Sequence, residues 1–282
     1  MRYVVLGGHG MLGHDLARAL EGRDFTALGR DQADLTDPAA LRAAVAGADV
    51  VINAAAYTRV DDAETDEAAA TAINGTGAGD AARAAAEVGA RFVQVSTDYV
   101  FDGSATTPYA EDTPRAPVSA YGRSKGEGER LVAQSHPAPH IVRTAWLYGE
   151  NGPCFPRTML TLAAGRETVD VVADQVGQPT WTRDLAYGIV GLLDAETPAG
   201  IYHATNAGSA SWFDFARATF ELSGLDPDRV HPIDSAAFVR PAPRPAYSVL
   251  GHDAWLAAGL SELRPWREAL ADAVARGAVS PR

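Results

Sequence analysis

Tyr121 and Lys125 are the residues whose types and spacing first suggest chemistry in this sequence. On a helix, residues four apart lie on one face and one turn apart, so the phenol and the ammonium would be neighbours. A phenol has a pKa of roughly 10 and is a poor acid at neutral pH. A nearby ammonium favours the phenolate and so makes the phenol a better proton donor. The pair alone does not define a site, because most such pairs are a half-buried ring beside a solvated amine.

Ser96 and Thr97 supply the partner that this pair requires. They follow residues 91–95, whose Phe92, Val93 and Val95 predict a strand. Hydroxyls at the carboxyl end of a strand stand where a doubly wound sheet binds its ligand. The hydroxyl of Thr97 or Ser96 would hydrogen-bond a substrate carbonyl while Tyr121 protonates it. Ser119 is suited to cap the helix that carries the tyrosine and the lysine.

A glycine-rich turn near the N-terminus predicts a dinucleotide site. The strand pattern of Arg2–Leu6 runs directly into residues 7–13, and a helical pattern follows. Glycines allow a tight turn and close approach to a pyrophosphate, while the helix N-terminus offers free N–H groups. Two spacings fit, GxGxxG from Gly8 and GxxGxxG from Gly7, and both end at Gly13. The residues expected to contact the cofactor here are Gly7, Gly10, Met11 and Leu12.

The end of the next strand distinguishes between two nicotinamide cofactors. Residues 25–28 predict this strand, and Gly29-Arg30 follows it. A carboxylate at this place would bind the ribose 2′-hydroxyl of NAD, whereas an arginine suits a 2′-phosphate. Arg30 therefore favours NADPH, and NADH is the alternative because Asp31 stands beside the arginine.

Two further segments are expected to line the cofactor. Thr36 or Asp37 would cap a helix over Pro38–Val45, which directs the preceding residues towards the adenine. A run of small side chains follows the strand at residues 50–52 and leaves room for a cofactor, although tight helix–sheet packing explains the same run. The residues that these segments would contribute are Asp34, Leu35, Ala54, Ala55, Ala56 and Tyr57.

The order of these elements predicts an α/β protein with a Rossmann-type, doubly wound parallel sheet. Residues 140–143 are expected as a sixth strand, and Gly200–His203 as a seventh that rejoins the sheet. After residue 148, prolines and glycines interrupt short elements, which indicates a smaller, interleaved C-terminal substrate-binding lobe with few long regular elements. We expect residues 1–148 plus about 184–206 to form the NADP(H)-binding domain. Residues 149–183 plus 207–282 would form the substrate-binding lobe.

Composition limits the partners and the location of the chain. A formal net charge of −12 over 282 residues argues against nucleic-acid binding. The single cysteine, Cys154, precludes an intrachain disulfide and favours a reducing compartment. The apolar run at the N-terminus is too short for a signal peptide, and no segment is long enough to cross a bilayer. We expect a cytoplasmic protein without a membrane partner. The seven histidines lack ligand spacing, so we expect no structural metal.

The combination of motifs resembles the extended short-chain dehydrogenase/reductases and, within them, the dTDP-4-dehydrorhamnose reductases. The glycine turn, the run Ser96-Thr97-Asp98-Tyr99-Val100-Phe101, and Tyr121 with Lys125 occur in the order of that superfamily. The matching segments run from residue 1 to about residue 250, and their combination is specific although each piece is not. The further segments that carry the similarity are residues 53–61, 143–148, 174–180 and 244–250.

The resemblance implies NADPH-dependent reduction of the C4 ketone of dTDP-4-dehydro-6-deoxy-L-hexose, which converts dTDP-4-dehydro-L-rhamnose to dTDP-L-rhamnose in deoxysugar biosynthesis. Thr97, rather than Ser96, falls on a catalytic position together with Tyr121 and Lys125. Tyr121 would protonate the forming alkoxide, and Lys125 would hold the nicotinamide ribose. Ser96, Tyr121 and Lys125 would also contact the cofactor. The residues implied to bind substrate are Asp98, Tyr99 and Trp146 near the sugar and Arg244 at the diphosphate.

The chain departs from the family pattern at two places. Some relatives dimerise around a magnesium ion held by acidic residues at positions where Asp15 and residues 181–184 stand here. Arg183 in that cluster argues against a metal-bridged dimer, so we expect no metal and a monomer or weak homodimer. Tyr247 stands where relatives usually carry asparagine, which leaves the exact sugar open.

Three other interpretations compete with this one. The first is a reductase of a different dTDP-4-keto-deoxysugar in secondary metabolism. The second is a sugar-nucleotide dehydratase or epimerase, but a dehydratase needs a second carboxylate, and Tyr99 follows Asp98 where that carboxylate would stand. The third is a non-catalytic NADP-binding regulatory subunit, as in methionine adenosyltransferase, and the intact Thr97, Tyr121 and Lys125 speak against it.

Overall fold

A parallel sheet of six strands runs through the computed structural model, which describes residues 1–281. Short two-stranded sheets accompany it in the C-terminal lobe. Within the described residues the strands are, in chain order, β1 (Arg2–Leu6), β2 (Asp24–Leu28), β3 (Val50–Asn53), β4 (Arg91–Thr97), β5 (His140–Thr144), β6 (Leu147–Tyr148), β7 (Val169–Val172), β8 (Val176–Gly177), β9 (Thr180–Trp181), β10 (Gly200–His203), β11 (Asn206–Ala207), β12 (Ala210–Ser211), β13 (Val230–Ile233) and β14 (Leu263–Pro265).

Helices connect these strands and cover both faces of the large sheet. A π-helical turn at Ala72–Gly77 joins the third and fourth α-helices, and a 3₁₀ turn at Asp98–Val100 follows β4. The α-helices are α1 (Met11–Ala19), α2 (Pro38–Val45), α3 (Glu67–Thr71), α4 (Ala78–Glu87), α5 (Ala120–Ser135), α6 (Phe155–Gly165), α7 (Thr182–Asp194), α8 (Trp212–Leu222), α9 (Asp253–Ala257) and α10 (Trp266–Ala275).

The strand order of the large sheet is β10-β5-β4-β3-β1-β2, and every neighbouring pair is parallel. The chain moves to one side from β1 to β2 and to the other side from β3 onwards. Ligands of such sheets bind outside the carboxyl ends of the strands at this reversal, between β1 and β3. The predicted Rossmann-type α/β fold is therefore confirmed. The sheet has six strands rather than seven, because the segments at residues 140 and 200 are its fifth and sixth strands.

Two apolar layers hold the helices to the sheet. One contains Val5 and Ile52 with Leu16 of α1 and Leu185 of α7. The other is built on the opposite face by strand residues such as Val4 and by side chains from α2, α4 and α5. Because alternate strand residues face opposite layers, both sets must be apolar, which explains the continuous apolar runs.

Local capping fixes the start of the helices that border the candidate site. The Asp37 carboxylate accepts from the amides of Ala39 and Ala40 at the start of α2, so Asp37 rather than Thr36 is the cap. The Ser119 hydroxyl accepts from Gly122 N at 3.1 Å at the start of α5, as the sequence predicts.

The C-terminal lobe contains more regular structure than the sequence predicts. Helices α6 and α10 have 11 and 10 residues and pack with α8 through apolar side chains that include Phe215 and Leu270. The expectation of few long elements is therefore wrong, because an apolar helix face can follow directly after a proline. The boundaries expected between the two domains stay a prediction.

Candidate active site

The glycine turn folds tightly against the segment after β3. Gly7 has a φ of +81°, and a Cβ there would lie 2.6 Å from Ala55 N. A Cβ on Gly13 would lie 2.2 Å from the Gly7 carbonyl oxygen. Helix α1 begins at Met11 with Gly10 as its N-cap and without a side-chain capping bond, which leaves its first N–H groups available to an anion. The turn and the helix end therefore fit a pyrophosphate.

The end of β2 lies against this turn, because Gly8 N donates to the Leu28 carbonyl at 2.7 Å. Beyond it, the Arg30 side chain is 77% exposed, and its Nε donates to Asp34 Oδ2 at 3.0 Å. Hydrogen bonds from the Thr36 amide and hydroxyl hold the pKa of Asp34 below its usual value, and Arg30 adds to this effect. Arg30 thus lies at the strand end where a 2′-phosphate would bind, and its guanidinium forms an ion pair with Asp34.

The segment after β3 presents small side chains at the carboxyl edge of the sheet. Residues 54–56 are partly exposed, whereas Tyr57 is buried. Asn74 Oδ1 accepts from Tyr57 N at 2.8 Å, and Asn74 Nδ2 donates to the Tyr57 carbonyl at 3.0 Å. Asn74 lies in the π-helical turn, a form that is frequent at functional sites. Leu35, which was also expected near the adenine, is buried in the apolar layer with α2.

Thr97 and Tyr121 come together where β4 ends and α5 begins. Thr97 Oγ1 donates to Asp98 Oδ1 at 2.9 Å and accepts from Tyr99 N at 3.2 Å. A Cβ on Gly122 would lie 2.2 Å from the Tyr99 carbonyl oxygen, so the first turn of α5 packs directly on the segment after β4. The rings of Tyr99 and Tyr121 meet edge to face with their centroids 5.6 Å apart. The predicted hydroxyl and phenol thus share one edge of the sheet.

Burial raises the pKa of Tyr121 above its usual value, and the Asp98 carboxylate adds to the increase, while the Thr97 hydroxyl opposes it. This direction is opposite to the one expected from an ammonium one helical turn away. Burial also raises the pKa of Asp98 to about 6, and the hydroxyls of Ser248 and Thr97 oppose this increase. The Ser248 hydroxyl lies nearby without hydrogen-bond geometry, so within residues 1–281 Asp98 Oδ2 has no hydrogen-bond partner. The phenol of Tyr121 is therefore held in its protonated, donating form.

Lys125 points towards β4. Its Nζ donates to the Val95 carbonyl oxygen at 2.7 Å. Burial lowers the pKa of Lys125 to about 8, and Glu129 acts in the opposite direction. The chain contains 24 lysine and arginine residues, of which 23 are arginines, so Lys125 is the only lysine. The single lysine therefore titrates much closer to neutral pH than an exposed lysine would.

Glu129 forms a buried ion pair one turn after Lys125. Its two carboxylate oxygens accept from Arg143 Nε and Nη2 at 2.9 and 2.8 Å. Ser96 Oγ donates to Glu129 Oε1 at 2.6 Å, and Arg115 Nη1 donates to Oε2 at 3.2 Å. Burial alone would raise the pKa of Glu129, but Arg143, Ser96 and Arg115 together hold it below the usual value. The Ser96 hydroxyl, which was expected at the cofactor, is thus used by this ion pair.

Trp146 follows β5 with a left-handed backbone, at a φ of +45°. Its indole stacks on Trp212 with ring centroids 3.5 Å apart and planes inclined by 6°. A Cβ on Gly177 would lie 2.4 Å from the same indole. A non-glycine residue in this region costs of the order of 1–3 kcal/mol, which these contacts must offset. Thr144 at the end of β5 pairs with Thr97 at the end of β4. The Trp146 indole, two residues later, therefore lies at the same edge of the sheet as Thr97.

Arg244 joins the lobe to the segment after β3. Its Nη1 donates to Asp61 Oδ1 at 2.5 Å and to the Ala242 carbonyl at 2.7 Å. Arg240 donates to the same carboxylate. Arg244 first, and Arg240 after it, hold the pKa of Asp61 well below its usual range despite partial burial. Asp61 is therefore not a solvated surface charge, although it belongs to an acidic segment of the sequence, since its side chain is 19% exposed and paired.

The acidic residues near α1 and α7 have partners within the protein. Asp15 is buried, and its Oδ2 accepts from Thr182 Oγ1 at 2.6 Å. Asp184 Oδ2 accepts from Arg264 Nε at 2.8 Å. Among the residues that the structure describes, no group of three or more histidine, cysteine or acidic side chains is arranged to hold a metal ion. None of the helices in residues 1–281 combines the length and the apolar character needed to cross a membrane.

Sequence reasoning missed several residues that support this site. Glu129 occupies the next position on the helix face of Tyr121 and Lys125, so the helical spacing alone would have identified it. The presence of a single lysine was also visible in the sequence. Asn74 has no such signal, because its partner at residue 57 lies 17 positions away.

Known proteins resemble this chain over almost its whole length. The sequence model of the family described as RmlD substrate binding domain matches residues 1–279. The chain is 53% identical to a Streptomyces antibioticus protein named as a probable dTDP-4,6-dihydroxy-2-methyloxan-3-one 4-ketoreductase, with 97% of this chain and 94% of the relative covered. It is 51% identical to the dTDP-4-dehydrorhamnose reductase of Streptomyces griseus, with 96% and 92% covered.

A solved structure shows the same architecture. The crystal structure of dTDP-4-dehydrorhamnose reductase from Bacillus anthracis, in complex with NADP, superposes with a TM-score of 0.94. The two sequences are 37% identical, and the match covers 98% of this chain and 99% of the other.

Proposed function

Because the chain belongs to the RmlD substrate binding domain family, we propose that it is an NADPH-dependent reductase of the C4 ketone of dTDP-4-dehydro-6-deoxy-L-hexose. The reaction would convert dTDP-4-dehydro-L-rhamnose to dTDP-L-rhamnose in deoxysugar biosynthesis. The observation that carries the proposal is the convergence of Thr97 and Tyr121 at one sheet edge, in a chain 51% identical to a named reductase of this kind. Lys125 lies one helical turn from the tyrosine.

The glycine turn and the strand ends support NADPH as the cofactor. The close approaches at Gly7 and Gly13 leave no room for a side chain, and the uncapped α1 suits the pyrophosphate. Arg30 would bind the 2′-phosphate beside Asp34. Residues 54–57 would line the cofactor further along the edge. NADPH, when bound, supplies the hydride for the ketone.

The protein side chains would supply the proton and orient the carbonyl. The Thr97 hydroxyl has one proton, which it donates to Asp98 Oδ1 in the absence of substrate, and it would turn this proton to the C4 oxygen when the ketone binds. The Tyr121 phenol would transfer its proton to the same oxygen as alkoxide charge develops. The raised pKa of Tyr121 keeps the proton in place until the alkoxide, a stronger base, forms. Lys125 would hold the nicotinamide ribose and stabilise the phenolate that remains.

The substrate would lie between the sheet edge and the lobe. Asp98 has a buried carboxylate oxygen without a partner, which is suited to a sugar hydroxyl. Tyr99 and Trp146 would contact the sugar ring. Arg244 would contribute charge to the diphosphate, and Asp61 would then hold its guanidinium in position.

A second candidate is a reductase of a different dTDP-4-keto-deoxysugar in secondary metabolism. The identity of 53% to the Streptomyces antibioticus ketoreductase is close to the 51% to the rhamnose-forming enzyme, so overall similarity does not separate the two substrates. Tyr247 packs on the apolar cluster that contains Phe101 and Leu250. Relatives usually carry asparagine at this position, so the tyrosine leaves the choice between the two sugars undecided. A purely regulatory, non-catalytic subunit would not need this set of side chains.

Turnover of several keto sugars tests the proposal. Purified protein would be given NADPH and a panel of dTDP-4-keto-6-deoxy sugars, with and without a hydroxyl at C2, and the products identified by NMR. We expect the highest kcat/KM with dTDP-4-dehydro-L-rhamnose. Tyr121→Phe should lower kcat by roughly 10²–10⁴-fold with every active sugar. Tight NADPH binding without turnover of any sugar would refute the enzymatic proposal.

We further propose a cytoplasmic monomer or weak homodimer without a bridging metal. Asp15 is already paired with Thr182, and Arg183 adds positive charge nearby. Sedimentation with and without magnesium tests this assembly. A dimer that forms only with magnesium would contradict it.

A further inference from the structure

Strand β4 extends beyond its neighbour β3 at a point next to Lys125. The last register pair of the two strands is Asn53 with Gln94, whereas β4 continues to Thr97 beside β5 alone. Immediately after this pair, the Val95 carbonyl oxygen accepts from Lys125 Nζ at 2.7 Å and from Gln94 Nε2 at 2.8 Å. One carbonyl oxygen thus holds both the only lysine of the chain and a buried glutamine.

The orientation of the Gln94 amide is fixed from its other end. Asn53 Nδ2 donates to Gln94 Oε1 at 2.9 Å, and Ala55 N donates to Asn53 Oδ1 at 3.1 Å. Both amide side chains are buried, with exposures of 0% and 2%. Because Oε1 of Gln94 faces the asparagine, its Nε2 faces the Val95 carbonyl. A continuous set of hydrogen bonds therefore runs from Ala55 to the lysine ammonium.

We propose that Gln94 is a positioning residue for Lys125 and that, with Asn53, it couples the cofactor-side segment at Ala55 to this lysine. The role of Lys125 in turnover rests on the proposed function, whereas the coupling itself is measurable without turnover. A glutamine that only fills the core would affect stability alone. A positioning glutamine must also change the behaviour of the Lys125 side chain.

The charged surroundings of Lys125 make residue 94 a sensitive position. Gln94 and Lys125 share one acceptor atom, so their donor atoms lie within about 6 Å, the range in which an opposite charge favours the charged form of a lysine. Gln94 and Asn53 are the neutral groups on the β3 and β4 side. Glu129 on α5 is the charged group that acts on Lys125, and Arg143 on β5 and Arg115 before α5 pair with it. The other titratable or charged groups on the packed elements are Tyr121 on α5, Asp98 beyond β4, Glu64 at the start of α5, and the ion pair of Glu67 with Arg123.

The single lysine allows Lys125 to be observed directly. Protein labelled with [¹³Cε]lysine should give one side-chain signal, whose pH titration reports the pKa of Lys125. In Gln94→Glu, the carboxylate can still accept from Asn53 but cannot donate to Val95, and its charge would lie within about 6 Å of the ammonium. We expect this variant to raise the pKa of Lys125 by about one pH unit or more.

Gln94→Met removes the donor without adding charge. It should move the Lys125 ¹³Cε signal and lower kcat for the keto sugar by about tenfold or more, because small displacements of catalytic groups are costly. The KM for the sugar should change less than about threefold, since the residue does not contact substrate. Thermal unfolding would confirm that the variant is folded.

Thr197→Val is the matched control at the opposite end of the sheet. Thr197 is buried, and its hydroxyl donates to the Leu192 carbonyl at 3.2 Å. This variant should lose a similar buried hydrogen bond while leaving the Lys125 titration and kcat unchanged. Gln94→Glu reports only that residue 94 lies close to the ammonium, so the positioning role is decided by Gln94→Met. A Lys125 ¹³Cε signal and a kcat that both stay unchanged in Gln94→Met would overturn it. A shifted titration in a protein without turnover would instead support the coupling and refute the proposed reaction.

Discussion

Replacing Glu129 by glutamine should destabilise the protein strongly, because the change leaves the Arg143 charge buried without its carboxylate. The two side chains are 0% and 2% exposed and are joined by two hydrogen bonds. Removing one partner of a buried ion pair costs about 3–5 kcal/mol. For a chain of this length the unfolding entropy is about 0.6 kcal/mol/K, so Tm should fall by about 5–8 °C.

The loss of stability in Glu129→Gln should be smaller at low pH than at neutral pH. Arg143, Ser96 and Arg115 outweigh burial and hold the pKa of Glu129 in the folded protein below its value in the unfolded chain. A lowered pKa means that the ionised carboxylate contributes stability above the unfolded pKa, which is about 4.3, and loses this contribution as pH falls through the folded value. The difference in Tm between wild type and Glu129→Gln should therefore be full at pH 7 and shrink below about pH 4.

Thermal unfolding followed by circular dichroism measures these differences. Glu67→Gln is the matched control, because Glu67 binds Arg123 through two hydrogen bonds at 2.8 and 2.7 Å, but the pair is exposed. Its loss should cost no more than about 1 kcal/mol, or roughly 2 °C. The double variant Glu129→Gln/Arg143→Met should recover part of the lost stability, since no unpaired charge remains. Equal Tm changes in Glu129→Gln and Glu67→Gln would refute this reasoning.

Two further changes test the substrate side of the site. Asp98→Asn should raise Tm at pH 8 and change it little at pH 4, because burial raises the pKa of Asp98 to about 6 and its ionisation between about pH 4 and 6 costs folding free energy. Thermal unfolding at both pH values checks this, and an equal change at both would contradict it. Arg244→Ala should raise the KM for the dTDP-sugar about tenfold with a smaller effect on kcat, since a diphosphate contact is made equally in ground and transition states. Steady-state kinetics measures KM and kcat separately, and a loss of kcat without a rise in KM would contradict the contact between Arg244 and the diphosphate.

The sequence predicts those parts of the molecule that depend on local signals. The glycine turn, the caps at Asp37 and Ser119, and the helix Pro38–Val45 occur where expected. These features depend on residues within one or two turns of each other, so a single sequence contains the necessary information. The parallel sheet follows in turn, because alternating strands and helices permit few topologies.

The contacts that fix the electrostatics are not local. Asp61 and Arg244 are separated by 183 positions, so nothing near Asp61 in the sequence indicates that it forms an ion pair. The direction of the Tyr121 pKa was mispredicted, because helical spacing shows the nearby lysine but not the burial of the phenol or the carboxylate of Asp98. The Asp61 ion pair and the Tyr121 pKa both depend on tertiary surroundings, which the spacing of residues along one helix does not describe.

Transfer of deuterium from NADPH is the most direct test of the central claim. The protein would be incubated with NADPH deuterated at the transferable position and with dTDP-4-dehydro-L-rhamnose, and the sugar product would be examined by NMR and mass spectrometry. We predict one deuterium at C4 of dTDP-L-rhamnose in the wild type and a product rate lower by roughly 10²–10⁴-fold in Tyr121→Phe. A product without deuterium at C4, or no product at all, would contradict the assignment of this chain as a C4 ketoreductase.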